Sequence, residues 1–434
     1  MKTKDKTNQV SIVTLGCSKN TVDSEVLLRQ LQAGGMEVAH NPENITAGKV
    51  IINTCGFIND AKEESIETIL NFAKAKQQGI ISELFVMGCL SQRYRSELVN
   101  EIPEVDGFFG VAEFPEILRS VGVDYKKELL GERVITTPSH YAFLKISEGC
   151  DRKCSFCAIP LIRGKHQSKS VEELVGEATF LANSGVRELM IIAQDSTYYG
   201  LDFYGERKLP ELLLKLAEIP GIEWIRLHYA FPAGFPEQLL SVINSSPKIC
   251  KYLDIPVQHI SDPVLKAMRR GHNAIETRML IEEIRKAVPG IALRTSVIVG
   301  FPGETKEQFE ELKAFISEVK FERLGVFTYS HEENTKAFDL KDDVPPATKK
   351  RRATELMKLQ EDISLTINQN RIGQVLRVIV DRKEADFWIG RSEFDSPEVD
   401  NEILIPAAFA LHPGDFVQVR IIAAEAYDLF AEPV

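Results

Sequence analysis

The chain has little that would place it in a membrane or in an oxidising compartment. No apolar run approaches the ~18 residues of a membrane span, and the first ten residues, MKTKDKTNQV, lack the apolar core of a signal peptide. The cysteine count is odd, at 7, which argues against a disulfide framework and for metal or catalytic use. A net charge of −11 argues against a broad nucleic-acid-binding surface. We therefore expect a cytoplasmic protein without a membrane partner, long enough for two or three domains.

Six of the seven cysteines form two sets of three. The first set is a tight CxxxCxxC run within EGCDRKCSFC and comprises Cys150, Cys154 and Cys157. The second set is dispersed, but each member follows a short apolar run: Cys17, Cys55 and Cys89. Iron–sulfur cubanes normally take four cysteine thiolates. A three-cysteine site would leave one iron open to another ligand, as a catalytic metal requires, so both sets are candidate catalytic metal sites.

The dispersed cysteines can converge if the N-terminal region is a parallel sheet. Apolar strand-like runs end at Leu15, Asn53 and Met87, and amphipathic helical stretches cover about 21–34 and 60–78. Strands that alternate with helices predict a parallel α/β sheet, and ligands bind beyond the carboxyl ends of such strands. All three cysteines follow their strands at that end. The alternative is that they are buried core thiols, which are common.

A second α/β region begins near His140. Six strand candidates with helical patterns between them suggest a partial or complete (β/α) barrel, and the residues after each strand would line its active mouth. The strand candidates are AFLKIS, ELMIIAQ, WIRLHY, YLDIPVQ, LRTSVIVGF and RLGVFTYS. A charged helical stretch from about 348 to 370 then connects to the tail.

From about residue 374 the pattern changes to short alternating strands, which predicts a small OB-like all-β barrel. Residues 373–434 contain 5 Lys/Arg and 12 Asp/Glu, a net charge of −7. The segment SEFDSPEVDNE concentrates this charge. We expect its carboxylates to lie solvated in a loop and to dock a basic partner; the alternative is a solubility face. The docking candidates are Asp395, Glu398, Asp400 and Glu402.

The CxxxCxxC run, with Phe156 before its last cysteine, resembles the signature of the radical S-adenosylmethionine superfamily. The resemblance implies a [4Fe-4S] cluster whose open iron chelates S-adenosylmethionine and whose electron cleaves it to a 5′-deoxyadenosyl radical. A structural zinc site is the alternative. Zinc would need a fourth ligand, but the available Cys250 and His166 lie in no ligand-spaced pair. We expect Cys250 to be a core or edge thiol.

Several other residues are candidates for S-adenosylmethionine binding. The run SVIVGFPGET resembles the GxIxGxPGE stretch of such barrels, where a glycine turn exposes main chain to an adenine. Polar side chains at the predicted strand ends could bond ribose or methionine groups, and loop capping is their alternative role. The cofactor-binding candidates are Phe156, Gln194, Asp195, Gln258, Gly300, Gly303 and Glu304.

The whole chain resembles the methylthiotransferase family. That resemblance implies an N-terminal cluster domain at 1–130, a radical S-adenosylmethionine barrel at 136–370 and a TRAM-like β-barrel at 371–434. TLGCSKNTVDSE, GCDRKCSFCAIPLIRGKHQSK and GRSEFDSPEVDN are most similar to the branch that modifies a ribosomal protein. The tRNA-modifying branch typically has GCQMN where this chain has GCSKN. TRAM domains usually bind RNA, so the acidic tail departs from the pattern and suits a basic ribosomal protein better.

The resemblance implies conversion of C–H to C–SCH3 at the β-carbon of an aspartate in small-subunit ribosomal protein number 12. Two [4Fe-4S] clusters would take part, and two S-adenosylmethionine molecules would be consumed per product. One supplies the methyl group for sulfur held at the dispersed cysteines, and the other supplies the radical. A reducing electron donor is also expected, and tRNA is not the expected partner. The alternatives are a tRNA adenosine methylthiotransferase and a non-catalytic metal-binding protein of RNA or ribosome assembly.

Overall fold

The computed structural model describes residues 8–43 and 48–434. The first seven residues of the polar N-terminal run, and residues 44–47, lie outside the described part. Three main sheets follow one another along the chain, at 9–108, 141–328 and 375–433. The predicted order of parallel α/β sheet, partial (β/α) barrel and small all-β barrel is confirmed, while the domain boundaries stay a prediction. No helix in the described ranges is long and apolar enough to cross a bilayer.

The N-terminal sheet has five parallel strands in the order β2-β1-β3-β4-β5. Its strands are β1 (Gln9–Thr14), β2 (Glu37–His40), β3 (Lys49–Thr54), β4 (Glu83–Gly88) and β5 (Gly107–Phe108). Its helices are α1 (Ser18–Ala33), α2 (Asn59–Gln77), α3 (Cys89–Glu101) and α4 (Phe114–Ser120). Helices cover both faces, so the central strands are buried on both sides and their sequences are apolar runs rather than alternating patterns.

The second sheet has six strands in the order β13-β12-β11-β10-β9-β6, all parallel, so it forms a partial barrel. Its strands are β6 (Tyr141–Lys145), β9 (Glu188–Ile192), β10 (Trp224–Leu227), β11 (Ile249–Asp254), β12 (Ala292–Val299) and β13 (Arg323–Thr328), with a small hairpin of β7 (Ser147–Glu148) and β8 (Gln167–Ser168) beside them. All six predicted strands are present.

Helices surround this barrel and form its largest apolar core. They are α5 (Ile159–Arg163), α6 (Val171–Asn183), α7 (Leu209–Ala217), α8 (Gln238–Ser245), α9 (Asp262–Ala267), α10 (Ala274–Ala287) and α11 (Lys306–Val319). Capping boxes start two of them, with Asn273 and Glu276 at α10 and Thr305 and Gln308 at α11. These local bonds satisfy the free backbone N–H groups of the first helical turn.

The connector α12 (Pro346–Gln369) leads to a closed five-stranded barrel in the order β14-β15-β16-β18-β17. Its strands are β14 (Val375–Glu384), β15 (Phe387–Ser392), β16 (Glu402–Pro406), β17 (Phe416–Ala424) and β18 (Asp428–Pro433). All pairs are antiparallel except β16 with β18. Closure leaves no free sheet edge in this small unit.

Candidate functional site: two cysteine sets at one junction

The CxxxCxxC loop lies between β7 and α5, after the first barrel strand. Gly149 has a φ of +74°, and a Cβ there would collide with the Lys165 carbonyl, so the position requires glycine. The Cys150 amide donates to the Gly164 carbonyl at 3.1 Å, which closes the loop. Burial raises the pKa of Cys157 to about 12, and the neighbouring Cys154 and Cys150 thiols add to that rise. The three thiols are therefore near neighbours.

The dispersed cysteines follow the carboxyl ends of β1, β3 and β4 at one edge of the sheet, and their joint binding of a cluster stays a prediction. Glycines make the approach possible. A Cβ at Gly16 would lie 2.7 Å from the Cβ of Cys55, and one at Gly88 would lie 2.6 Å from the Thr54 carbonyl oxygen. Burial raises the pKa of Cys89 to about 12 against the opposing effect of a guanidinium, and Cys17 and Cys55 raise it further. Cys17 is the exposed member of the set.

The chemistry of both sets fits iron–sulfur ligation. All six thiols are free, and none is tied into a disulfide. Burial raises the pKa values of Cys55, Cys89, Cys150 and Cys157, which describes protonated thiols, and a bound metal deprotonates the thiols that coordinate it. Within the described ranges, no three His, Cys, Asp or Glu side chains are grouped to hold a single metal ion. The seventh cysteine, Cys250, is a core thiol 1% exposed, packed against Trp224 and Tyr252.

Arg163, the last residue of α5, joins the two cysteine sets. Its guanidinium donates to the Asn20 side-chain oxygen at 2.6 Å, to Asp23 at 3.1 Å and to Glu148 at 2.9 Å. Lys145 bonds both carboxylates from the other side, at 2.7 Å to Glu148 and closely to Asp23. Although burial opposes ionisation, these two cations hold the pKa of Glu148 well below its ordinary value. The N-terminal sheet and the barrel are thus fastened together by buried charge.

Apolar contact reinforces the junction. Cys89 packs with Ala158 and Ile162, which follow the CxxxCxxC run. A second ionic contact lies nearby, where Arg93 donates to Glu332 at 2.7 Å and both side chains are almost fully buried. The segment that follows the CxxxCxxC run therefore packs directly against the N-terminal unit beside Cys89. Sequence reasoning missed Arg163, and the only available signal was a charged residue in the otherwise apolar segment AIPLIRG.

Two of the predicted cofactor residues have protein partners. The Gln194 amide donates to Glu148 at 2.9 Å, and its oxygen is buried without a partner. Asp195 is 1% exposed and accepts from Arg152 at 2.7 Å and from Thr197 at 2.6 Å. Asp195 therefore orients Arg152, a residue of the cysteine loop, while Gln194 keeps a free acceptor.

The glycine turn contains Gly300, Gly303 and Glu304, and hydrogen bonds to other protein groups hold it in place. Glu304 accepts from the amides of Gly300 and Phe301 and from Arg352 at 2.8 Å. A Cβ at Gly300 would collide with the Lys349 side chain of α12, whereas Gly303 has open space around it. Glu304 therefore shapes the turn through its own hydrogen bonds, and α12 requires the glycine at position 300.

Phe156 and Gln258 lie beside this turn. Phe156 packs in an apolar cluster with Phe301, Tyr329 and Met268, so the cysteine loop contacts the glycine turn. Gln258 has a φ of +71° and bridges β12 at Val297, with its side chain half-buried. Arg152 of the cysteine loop was missed as a candidate. Arg270 is buried, donates to the Cys154 sulfur at 3.3 Å and, like Arg152, stacks on Phe231.

The predicted solvated acidic loop is wrong for two of its four carboxylates. Asp395 is 1% exposed and forms a close ion pair with Arg323. Asp400 accepts from Arg294 at 2.6 Å and from the Tyr252 hydroxyl at 2.7 Å. These partners lie on β13, β12 and β11, so the segment packs into the barrel and its charges are neutralised there. The sequence shows the acids but not the buried arginines that they meet.

The other two carboxylates lie nearer the surface. Glu398 is exposed and accepts from the Tyr141 hydroxyl at 3.3 Å. Glu402 is half-buried and pairs with Arg382 at 2.9 Å.

A parallel partial barrel with CxxxCxxC at its mouth defines a radical S-adenosylmethionine protein, and the second cysteine set marks a particular group within that class. Residues 144–316 match the Radical SAM superfamily, residues 9–110 the uncharacterized protein family UPF0004 and residues 372–434 the TRAM domain. The fold also resembles that of the radical S-adenosylmethionine methyltransferase TsrM from Kitasatospora setae, solved with cobalamin and a [4Fe-4S] cluster. That likeness has a TM-score of 0.54 and 15% identity, over 74% of this chain and 75% of that one.

Full-length relatives identify the group. The chain is 56% identical to the ribosomal protein uS12 methylthiotransferase RimO of Flavobacterium johnsoniae, over 100% of both chains. It is 52% identical to the protein of the same name from Cytophaga hutchinsonii, over 99% of this chain and 100% of that one. The chain belongs to the RimO family of methylthiotransferases.

Proposed function

We propose that this chain methylthiolates the β-carbon of an aspartate in ribosomal protein uS12, in the cytoplasm. It is a radical S-adenosylmethionine enzyme with two [4Fe-4S] clusters. The observation that carries the proposal is the ionic junction at which Arg163, after the CxxxCxxC run, bonds Asn20 and Asp23 of the helix that follows Cys17. Full-length relatives named for uS12 methylthiolation support the substrate. The overall exchange replaces one C–H hydrogen with SCH3, and S-adenosylmethionine supplies both the methyl group and the hydrogen-abstracting radical.

The cysteines have separate proposed roles. Cys150, Cys154 and Cys157 hold the cluster that reduces S-adenosylmethionine, and Cys17, Cys55 and Cys89 hold the cluster that carries the sulfur to be transferred. When bound, these clusters supply the electron and the sulfur for the reaction. Arg163 fastens the two units beside both sets, because it contacts Asn20 and Asp23 of α1 and Glu148 of β7 through bonds of 2.6–3.1 Å.

The predicted cofactor residues either contact S-adenosylmethionine directly or position other residues that do. We assign Gln194 a direct polar contact with S-adenosylmethionine, since its buried oxygen has no protein partner. Phe156 supplies an apolar surface to the cofactor site, and Gly303 supplies main-chain groups. Gln258 lies beside them. Asp195 and Glu304 act indirectly, by positioning Arg152 and the glycine turn. Glu398 and Glu402 remain the candidates for docking a basic ribosomal protein.

The decisive experiment is anaerobic incubation of the reconstituted enzyme with S-adenosylmethionine, a reductant and either 30S subunits or tRNA. Peptide and nucleoside mass spectrometry then locate the mass gain of the SCH3-for-H exchange. We expect it on an aspartate of uS12. A gain on tRNA adenosine would replace the substrate assignment and leave the two-cluster chemistry in place. Zinc in place of iron, with no product on either substrate, would support a non-catalytic role.

A further inference from the structure

A buried lysine at the junction forms no ion pair within the described ranges, although its charge partly offsets the burial that raises the pKa of Asp254. Lys19 is the second residue of α1 and is 7% exposed. Its ammonium nitrogen is 3.2 Å from the ring centroid of Tyr229, which follows β10 on the barrel side. The lysine lies on α1, two residues after Cys17, and its ammonium reaches the mouth of the barrel.

The nearby carboxylates are engaged with other groups. Asp23 is bonded by Lys145 and Arg163. Asp254 accepts from the Tyr229 amide at 3.1 Å and has Arg294 at 3.9 Å. Among the described residues, no side chain forms an ion pair or hydrogen bond with the Lys19 ammonium. An aromatic face stabilises a cation only in part, and a buried charge without a counter-ion is strongly destabilising.

The tyrosine is itself held in an unusual conformation. Tyr229 has a φ of +59°, which is rare for a bulky residue and costs conformational energy. Its amide is fixed by Asp254 and its carbonyl accepts from Ser196, so the ring is presented from a braced turn. The ring thereby holds the ammonium in place while leaving the N–H donors that point away from the ring for another ligand.

We propose that Lys19 binds the side-chain carboxylate of the substrate aspartate and so determines which residue of uS12 reacts. This inference rests on the proposed function. The reacting β-carbon is bonded directly to that carboxylate, so a fixed ammonium–carboxylate contact orients the β C–H bond. The site lies beside Cys17, of the set that would hold the sulfur-carrying cluster, and the other set would hold the cluster that binds S-adenosylmethionine. Lys19 is thus a specificity-determining residue.

The test is a double-mutant cycle on binding without turnover. Reconstituted enzyme without reductant is titrated with labelled uS12 and with uS12 in which the modified aspartate is replaced by asparagine. We expect Lys19→Met to weaken binding of unmodified uS12 by about 10- to 100-fold, as loss of a charge-assisted hydrogen bond does. Lys19→Arg should retain part of the affinity. Against the asparagine substrate, parent and Lys19→Met should bind about equally.

Two controls separate this role from support of the cluster. Lys74→Met, on the exposed face of α2, should leave binding unchanged. Lys19→Met should keep full iron content. Independent, multiplicative effects of the lysine and aspartate changes, or loss of iron in Lys19→Met, would overturn the assignment. The proposed function fails separately, if the parent enzyme does not modify uS12.

Discussion

The two cysteine sets differ in how the chain assembles them. Cys150, Cys154 and Cys157 come from one loop of eight residues, whereas Cys17, Cys55 and Cys89 are brought together by three strands of a parallel sheet. The first set depends on local geometry, with its loop closed by Gly164. The second depends on the packing of a whole sheet. A local site can be read directly from spacing, while a dispersed site can be found only by working out the topology first.

The largest expected effects come from removing each set in turn. Replacing Cys150, Cys154 and Cys157 by alanine should halve the iron content of the reconstituted protein and abolish 5′-deoxyadenosine formation, because the reducing cluster is lost. Replacing Cys17, Cys55 and Cys89 should also halve the iron but keep 5′-deoxyadenosine formation while product disappears. Iron analysis and chromatography of the nucleoside products measure both. Full iron in the second variant would show that the dispersed cysteines hold no cluster.

A glycine substitution should distinguish the sheet-built set from the loop-built one. Gly88 has a φ of +99°, and a Cβ there would lie 2.5 Å from the Asn53 side-chain oxygen and 2.6 Å from the Thr54 carbonyl oxygen. Gly88→Ala should therefore displace Cys89 and lower the iron of the N-terminal site, with destabilisation on the order of 2 kcal/mol. Gly79→Ala is the control, since its φ is +71° but nothing lies near its Cβ. Equal iron loss in both variants would make backbone strain alone the cause.

Much of this architecture was predictable because it depends on repeated local patterns. The six barrel strands and the strand ends that carry Cys17, Cys55 and Cys89 follow from apolar runs and β/α alternation. Arg163 and Lys19 were not predictable in the same way, because their roles depend on partners over 100 residues away in another sheet. Asp195 and Glu304 were expected to meet cofactor, yet each is satisfied by an arginine that sequence order does not bring near.

The acidic segment of the tail also contains a residue whose ion-pair partner is distant in sequence. Asp395 is paired with Arg323 of β13, and both side chains are buried. Asp395→Asn should destabilise the protein by about 3 kcal/mol, because it leaves a buried guanidinium without its counter-ion. Chemical denaturation measures the change. Glu402→Gln, at a solvent-accessible ion pair with Arg382, is the matched control and should cost less than about 1 kcal/mol.

The pH dependence of this stabilisation has a defined sign. Although burial opposes ionisation, Arg323 lowers the pKa of Asp395 below its ordinary value. A carboxyl group whose pKa is lowered by folding stabilises the protein above its unfolded pKa of about 4, and that contribution is lost as the pH falls further. The difference in unfolding free energy between parent and Asp395→Asn should therefore shrink below about pH 4. A difference that stayed constant there would mean that the charge of Asp395 is not what stabilises the fold.

The smallest expected effect concerns the two carboxylates that remain near the surface. If Glu398 and Glu402 dock uS12, changing both to glutamine should weaken uS12 binding by about threefold or less at low salt and flatten its salt dependence, because exposed charges act mainly by screened attraction. Glu432→Gln with Asp386→Asn, at exposed positions that do not pair with Arg382, removes equal charge and serves as the control. Equal weakening by both pairs would indicate a general effect of the tail's negative charge, and no weakening by either would leave the segment with only its packing role in the barrel.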